Sequence, residues 1–269
     1  MLGSIVGDIV GSIYEFANIK TKDFEFFQPE IERTDDSILC IATADWLLHG
    51  GDVSHYYSRY ALEYPYPMGG YGGMFKAWSS KVARQGIHEP YNSCGNGSAM
   101  RIAPVGWAFE TEREVLEAAK VSASCTHNHP EGIKGAQATA LCIFLARQGH
   151  TASDIRARIE RDFGYDLSMS VKELQRRYSW QGIDGKGDGG ICQDSVPQAI
   201  ICALQAKDFE DAIRNAISIG GDSDTIGCIA GGIAEALYGI PESIKERAWK
   251  YLDETEGRTV RSFIQKYSI

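Results

Sequence analysis

GGDSDTIGCIAGGIAEALYG, Gly220–Gly239, sets two aspartates and a threonine ahead of an apolar run built from glycine, alanine and isoleucine. The run reads as a buried helix, and its small residues let a neighbouring helix come close. Asp222, Asp224 and Thr225 fall at its start. A second stretch repeats the arrangement. RTDDSILCIATADWLL, Arg33–Leu48, puts Thr34, Asp35 and Asp36 ahead of another apolar run. A threonine N-cap and first-turn acids suit a helix N-terminus, whose free amides and dipole favour oxygen and negative charge. Capping alone does not require three oxygen-bearing side chains so close together, nor the same device twice.

The rest of the chain is mostly helical in period. Thr111 and Glu114 have the spacing of a capping box before an apolar stripe of Val115, Leu116 and Ala119. Pro130 suits the first turn of a helix over 130–148. Further helices are expected at Asp154–Phe163, Val171–Tyr178, Ser195–Gln205, Phe209–Ile219 and Ser243–Leu252. Asp194 is expected to cap the helix that passes through Ala199. Alternating runs of strand length are nearly absent. The expected fold is all-α, a compact helical bundle in one domain over residues 1–269. Gly3–Gly11, Ala136–Ala140 and Gly227–Ala236 are rich in small residues and are expected to be its central helices. Three glycine-rich segments read as functional loops: Tyr64–Trp78, Tyr91–Gly106 and Trp180–Ser195.

Composition narrows the function. With 269 residues, 43% of them hydrophobic, the chain can bury a substantial core. A net charge of −9 argues against nonspecific binding to nucleic acid or an anionic membrane. MLGSIVGDIVGSIYEF at the N-terminus lacks a basic region, and Asp8 interrupts its apolar stretch, so it is not read as a signal peptide. No run approaches the ~18 apolar residues of a membrane span. Seven cysteines without a CxxC pair predict free thiols in a reducing cytoplasm. Nothing resembles a coiled coil, and a monomer is the default expectation.

Brought together, the two acidic stretches would offer four carboxylates and two hydroxyls, an all-oxygen set of the kind Mg²⁺ or Mn²⁺ prefers. Four negative charges favour two ions over one, and a two-metal site can activate water. Zinc is a poor candidate, because no histidine lies near either stretch in sequence and the cysteines have no ligand spacing. Other acidic motifs fit badly. The DxDxT of haloacid-dehalogenase phosphatases follows a strand early in its domain, and here Thr225 comes one place too soon. An EF-hand beginning at Asp222 would have Ile226 and Ile233 at ligand positions. A DDxxD motif would need an acid at Leu39.

Six stretches in order resemble one known family, the ADP-ribosylglycohydrolases. They are GSIVGDIVGSIYE at 3–15, TDDS at 34–37, SCGNGSAMRIAPVG at 93–106, THNHPEGIKGA at 126–136, CQDSVPQAI at 192–200 and GGDSDTIGCIAGGIAEALYG at 220–239. The resemblance implies a compact all-α fold with a binuclear Mg²⁺ or Mn²⁺ centre. Its metal ligands map onto Thr34, Asp35, Asp36, Asp222, Asp224 and Thr225. Glu15 matches a glutamate placed at that centre. Family members cleave the bond between the anomeric carbon of ADP-ribose and an acceptor. The resemblance implies attack by a water deprotonated with help from Glu15 or an acidic ligand such as Asp36, with carboxylates stabilising an oxocarbenium-like transition state.

An acidic protein can still bind a diphosphate through backbone amides of glycine-rich turns. The loops GGYGG (69–73) and SCGNGS (93–98) resemble those the family uses for phosphates and ribose. They put forward Gly70, Gly72, Ser93, Cys94, Gly95 and Asn96, and His127 matches a histidine near ADP-ribose. His129 is expected to be a helix-entry residue and Arg101 a structural one. Tyr71, Trp78 and Trp180 are candidates for stacking on adenine, although such aromatics are more often core. The expected substrate is an ADP-ribosylated protein, arginine-linked in preference, or a small-molecule ADP-ribose conjugate. Two other classes stay open: a non-catalytic ADP-ribose-binding or crystallin-like relative, and a Mg²⁺-dependent phosphatase or nucleotide hydrolase.

Overall fold

Local signals start many of the helices. Thr111, Thr151, Ser170 and Asp253 each accept a backbone N–H three residues on, and Glu114, Asp154, Glu173 and Glu256 return the bond. A computed structural model describes residues Met1–Ile269. The helices are α1 (Leu2–Gly11), α2 (Asp35–His49), α3 (Val53–Glu63), α4 (Gly73–Gln85), α5 (Gly97–Met100), α6 (Ala103–Ala108), α7 (Glu112–Ser124), α8 (Pro130–Arg147), α9 (Ala152–Phe163), α10 (Val171–Arg177), α11 (Cys192–Leu204), α12 (Phe209–Ser218), α13 (Ser223–Tyr238), α14 (Glu242–Ala248) and α15 (Glu254–Tyr267). The only sheet is a ribbon of two short antiparallel strands, Tyr178–Ser179 and Gly182–Ile183. The fold is all-α, and no helix is long and apolar enough to cross a membrane.

Helices α1, α8 and α13 are buried along most of their length and form the centre, as their small residues predict. Helices α2, α6, α11 and α12 surround them. The contact between α1 and α13 is unusually close. A Cβ on Gly7 would lie 1.9 Å from the Gly227 carbonyl oxygen, and one on Gly3 would lie 2.3 Å from that of Gly231. Gly11 meets Ser223 in the same way, at 2.5 Å. Glycines four apart on one helix face lie above one another, so the two backbones touch along two turns.

Four readings of the sequence are corrected by the structure. The segment Tyr64–Trp78 is a loop only as far as Gly72; α4 then begins and buries Phe75, Trp78 and Val82 on one face. The segment Tyr91–Gly106 contains α5 and the start of α6, which Pro104 opens. Helix α11 starts at Cys192, with Asp194 inside its first turn. Asp194 is therefore not the cap; its Oδ2 accepts from the Asp188 backbone N–H at 3.0 Å and closes the preceding loop. The helix expected over Ser243–Leu252 ends at Ala248 and tightens to a 3₁₀ turn at Trp249–Tyr251. Helices α3 and α15 were not anticipated. Both are polar, and their starts rest on capping by Asp52 and Asp253.

Gly7→Ala should lower stability by about 3 kcal/mol or more, because the contact is with backbone and cannot be relieved by a side-chain rotation. Urea unfolding of the two proteins checks this; a midpoint within error of the wild type would refute the packing account.

Candidate functional site

The close contact of α1 and α13 sets the N-terminus of α13 beside Asp8, which lies one residue beyond Gly7. Asp8 is fully buried and accepts four hydrogen bonds at the start of α2. They come from the backbone N–H groups of Thr34 and Ser37, each at 3.1 Å, the Thr34 hydroxyl at 2.7 Å, and the Ser37 hydroxyl. Helix α1 thus supplies an acidic cap to α2. Thr34 caps α2 as well, accepting the Asp36 N–H at 3.2 Å. The N-termini of α2 and α13 are brought together by this arrangement. Glu15 joins them from the end of the 3₁₀ turn Ser12–Tyr14 that continues α1.

These ends open on a cavity of about 550 Å³, within the range of small-molecule sites. Glu15, Asp35, Asp36, Asp222, Asp224 and Thr225 line its acidic end. Gly70, Gly72, Ser93, Gly95, Asn96 and His127 line it too. Two candidates do not. The Thr34 side chain is buried against Asp8. Cys94 contributes its carbonyl to the Cys192 N–H at 2.9 Å, which ties the 93–97 loop to the start of α11. Of the aromatic candidates, Tyr71 lines the cavity and Trp78 is core. Trp180 lies outside the lining, parallel to Phe16, and donates its indole N–H to the Glu15 carbonyl at 2.7 Å. Tyr91, Phe75, Gly97 and Gly190 also line the cavity and were not anticipated.

The carboxylates form two sets of three that share Asp224. One ligand atom from each of Asp8, Asp36 and Asp224 lies within 4.8 Å of the others, and the same holds for Glu15, Asp222 and Asp224. Asp36 Oδ1 and Asp224 Oδ1 are buried and have no hydrogen-bond partner. A buried acceptor left unsatisfied costs free energy, and a divalent cation is the group that satisfies several at once. The donor set therefore fits hard cations. Asp8, already held by four donors, supports the set more than it adds to it. Asp222 Oδ2 is oriented by the Asn96 side-chain amide at 2.6 Å.

Electrostatics follow from this crowding. Burial, and then the charges of Asp222 and Asp8, push the Glu15 carboxyl up to about 7. Burial pushes Asp8 up to about 6 against the pull of its hydrogen bonds. Asp35, Asp36 and Asp224 are raised well above the usual carboxylate range, by burial first and then by neighbouring carboxylates, Asp8 foremost for Asp35 and Asp36 and Asp222 for Asp224. The Asp222 carboxyl is also raised by burial.

The opposite wall is uncharged or cationic. Arg101 is buried, with its guanidinium 4.0 Å from the centre of the Tyr57 ring. It donates to the Ser122 carbonyl and to the Thr126 hydroxyl, both at 2.8 Å. Thr126 lies 2.8 Å from His127 Nδ1. The Thr126 hydroxyl thus bridges the Arg101 guanidinium and His127 Nδ1. Burial, with Arg101 second, holds His127 well below the usual imidazole range and keeps it neutral. Nε2 faces Gly97, where a Cβ would lie 3.1 Å away. Arg101 is thus structural, as expected, and is tied to His127 through Thr126. His129 is the N-cap of α8, as expected.

In the loop 69–73, Gly69 and Gly70 have φ of 74° and 79°, a region that favours glycine. A Cβ on Gly69 would also lie 2.9 Å from Glu15 Oε2, so the loop passes directly over that carboxyl.

The family model described as ADP-ribosylglycohydrolase matches residues 1–267. The chain belongs to the ADP-ribosylglycohydrolase family. Human ADP-ribosylhydrolase ARH3 is 30% identical to this glycohydrolase-family chain, over 95% of it and 89% of the human protein. The ADP-ribosylarginine hydrolase Tri1 of Pseudomonas putida (strain GB-1) is 26% identical, over 93% of the chain and 73% of its own length. A solved structure described as an ADP-ribosylglycohydrolase-related protein complex superposes with a TM-score of 0.68 over 98% of this chain and 96% of that one. Its sequence identity is 24%, so the likeness speaks for the fold.

Raised carboxyls mean that the folded protein holds protons that the unfolded chain releases, so stability falls as pH rises. The window runs from about 4, where unfolded carboxyls titrate, to the Glu15 value of about 7. Freed of divalent cations, the protein should melt higher at pH 5 than at pH 7.5. Calorimetry at the two pH values decides, and the reverse order would overturn the buried-carboxylate account.

Proposed function

We propose that the protein is a metal-dependent hydrolase that cleaves the glycosidic bond between ADP-ribose and an acceptor, reversing ADP-ribosylation. One observation carries this reading. Six oxygen-bearing side chains, Glu15, Asp35, Asp36, Asp222, Asp224 and Thr225, share one cavity with the glycine loops 69–73 and 93–97. Membership of the family and the names of its relatives support the same activity.

Asp35, Asp36, Asp222, Asp224 and Thr225 would hold two Mg²⁺ or Mn²⁺ ions, with Thr34 fixing the turn from which Asp35 and Asp36 project. Such ions, when bound, supply Lewis-acid activation of water and offset the crowded negative charge. Glu15 takes the proton from the attacking water as the water adds to the anomeric carbon. A carboxyl poised near neutrality suits both uptake and return of a proton. The anomeric carbon–acceptor bond breaks, and its electron pair leaves with the acceptor, which ends protonated. The cavity carboxylates stabilise positive charge developing on the ribose ring. The Gly72 backbone amide donates to the diphosphate without a net positive charge, while the amides of Gly70, Gly95 and Asn96 already donate to the Pro67 carbonyl, the Ser93 hydroxyl and the Gly190 carbonyl and shape the two loops. Neutral His127 hydrogen-bonds a ribose hydroxyl. Tyr71 and Tyr91 offer flat faces in the same cavity, suited to the adenine ring.

The acidic lining suits a cationic acceptor, and the Pseudomonas relative is named for ADP-ribosylarginine, so an arginine-linked substrate is favoured. A non-catalytic binding relative would have no use for this full set of buried carboxylates, each costly to hold without a partner.

Two matched peptides, ADP-ribosylated on arginine and on serine, should separate the linkages when incubated with Mg²⁺ and with EDTA. ADP-ribose should appear from the arginine peptide with Mg²⁺ alone. Release of inorganic phosphate instead would sink the glycohydrolase reading in favour of a phosphatase. Glu15→Gln should lower kcat by about 10²–10⁴-fold while ADP-ribose binding, followed by calorimetry, stays close to wild type. Asp222→Asn should abolish turnover and weaken Mg²⁺ binding, with the helical circular dichroism unchanged. Full activity in that variant would remove Asp222 from the centre.

A further inference from the structure

A second group of metal-binding side chains lies away from the cavity, and its chemistry differs. Asp52 is the N-cap of α3. Its Oδ1 accepts the Ser54 backbone N–H at 2.9 Å and the Ser54 hydroxyl at 2.8 Å. The cap uses that oxygen alone. The other oxygen, Oδ2, is turned to two imidazoles, 3.6 Å from His88 Nδ1 and 4.0 Å from His55 Nδ1. The rings lie edge to face, with centroids 4.6 Å apart. One ligand atom from each of Asp52, His55 and His88 lies within 4.8 Å of the other two.

Asp52 and His55 are three apart at a helix start and so share a face. His88 comes from the distant connection that follows α4. The Ser54 hydroxyl donates to Asp52 Oδ1, which orients the carboxylate from behind, and lies against His88 Nδ1, the nitrogen from which an ion would displace it. Hydrogen bonds of this kind orient ligands in metal sites. Tetrahedral coordination by nitrogen and oxygen places neighbouring ligand atoms about 3.3 Å apart. The present separations close to that value by small rotations, and the side chains of His55 and Asp52, 67% and 53% exposed, have room for them.

We propose that Asp52, His55 and His88 bind one borderline divalent cation, Zn²⁺ or an ion of its class. Two imidazoles and a carboxylate suit such an ion, whereas Mg²⁺ prefers oxygen alone. Three protein ligands leave a fourth position for water. The ion fastens the stretch between α4 and Tyr91 to the start of α3. That stretch joins two parts of the cavity wall, Gly73–Phe75 at the start of α4 and Tyr91 with Ser93 beyond it. The site is therefore a staple on the wall of the substrate cavity, independent of whether the cavity carboxylates hold metal.

The test is a titration of the full-length protein with Zn²⁺ in excess Mg²⁺, followed by calorimetry, with Co²⁺ absorption as a second readout. Wild type should bind one equivalent and gain in melting temperature. The double variant His55→Ala/His88→Ala should keep its fold, lose the thermal gain, and bind at least about tenfold more weakly. Asp222→Asn should keep the Zn²⁺ equivalent. No Zn²⁺ binding by the wild type, or equal binding by wild type and double variant, would overturn the proposal. So would loss of the equivalent in Asp222→Asn, which would place the ion in the cavity.

Discussion

The contact between α1 and α13 is made backbone to backbone, and the position of the acidic groups follows from it. Gly3, Gly7 and Gly11 face Gly231, Gly227 and Ser223 with no room for a Cβ. At that separation Asp8 reaches past its own helix to the first turn of α2, where it accepts two backbone N–H groups and two hydroxyls. Three helix ends are thereby fixed against one another. A larger residue at any of these glycines would separate α1 from α13 and spread the carboxylates before it changed any of them chemically.

Crowding six acidic side chains is costly, and the structure offsets part of the cost in several ways. The N-termini of α2 and α13 point free amides and the positive ends of their dipoles at the cluster. Asn96 donates to Asp222, and Thr34 and Ser37 donate to Asp8. Asp36 Oδ1 and Asp224 Oδ1 remain without a partner. Carboxyls held above their ordinary range, together with orphaned buried oxygens, are the observations on which the proposed cation site rests. The other wall is organised by one buried arginine. Arg101 is tied through Thr126 to His127, which burial keeps neutral. The cavity is anionic at one end and neutral at the other, a division suited to the substrate proposed for it.

Much of this was legible in the residues. The capping box at Thr111, the proline entry at Pro130 and the acids after Thr34 are local signals, and the helices they announce are present. Small-residue periodicity marked α1, α8 and α13 as central. The misreadings have a common origin. Glycine in SCGNGSAM and MGGYGGMF suggested continuous loops, yet the chain returns to helix as soon as apolar spacing resumes at Phe75 and Ser98–Met100. Helix α15 carries few apolar residues and α3 buries mainly tyrosines rather than an aliphatic stripe, and both pack against α2. Asp8 was visible only as a charge inside an apolar run. Its partners lie more than twenty residues away, so its role could not be read locally.

The sequence by itself determined the helical class, the family, and the identity of most acidic and glycine-loop residues, because capping chemistry and residue spacing act over a few residues of chain. Only the tertiary structure decided that Thr34 and Cys94 stand behind the cavity wall, that Tyr91 joins it, that His127 is buried and neutral, and that His88 comes to rest beside Asp52 and His55. Each of these depends on which distant backbone lies alongside. That is set by how closely helices can pack, a property of the whole core and not of any one segment.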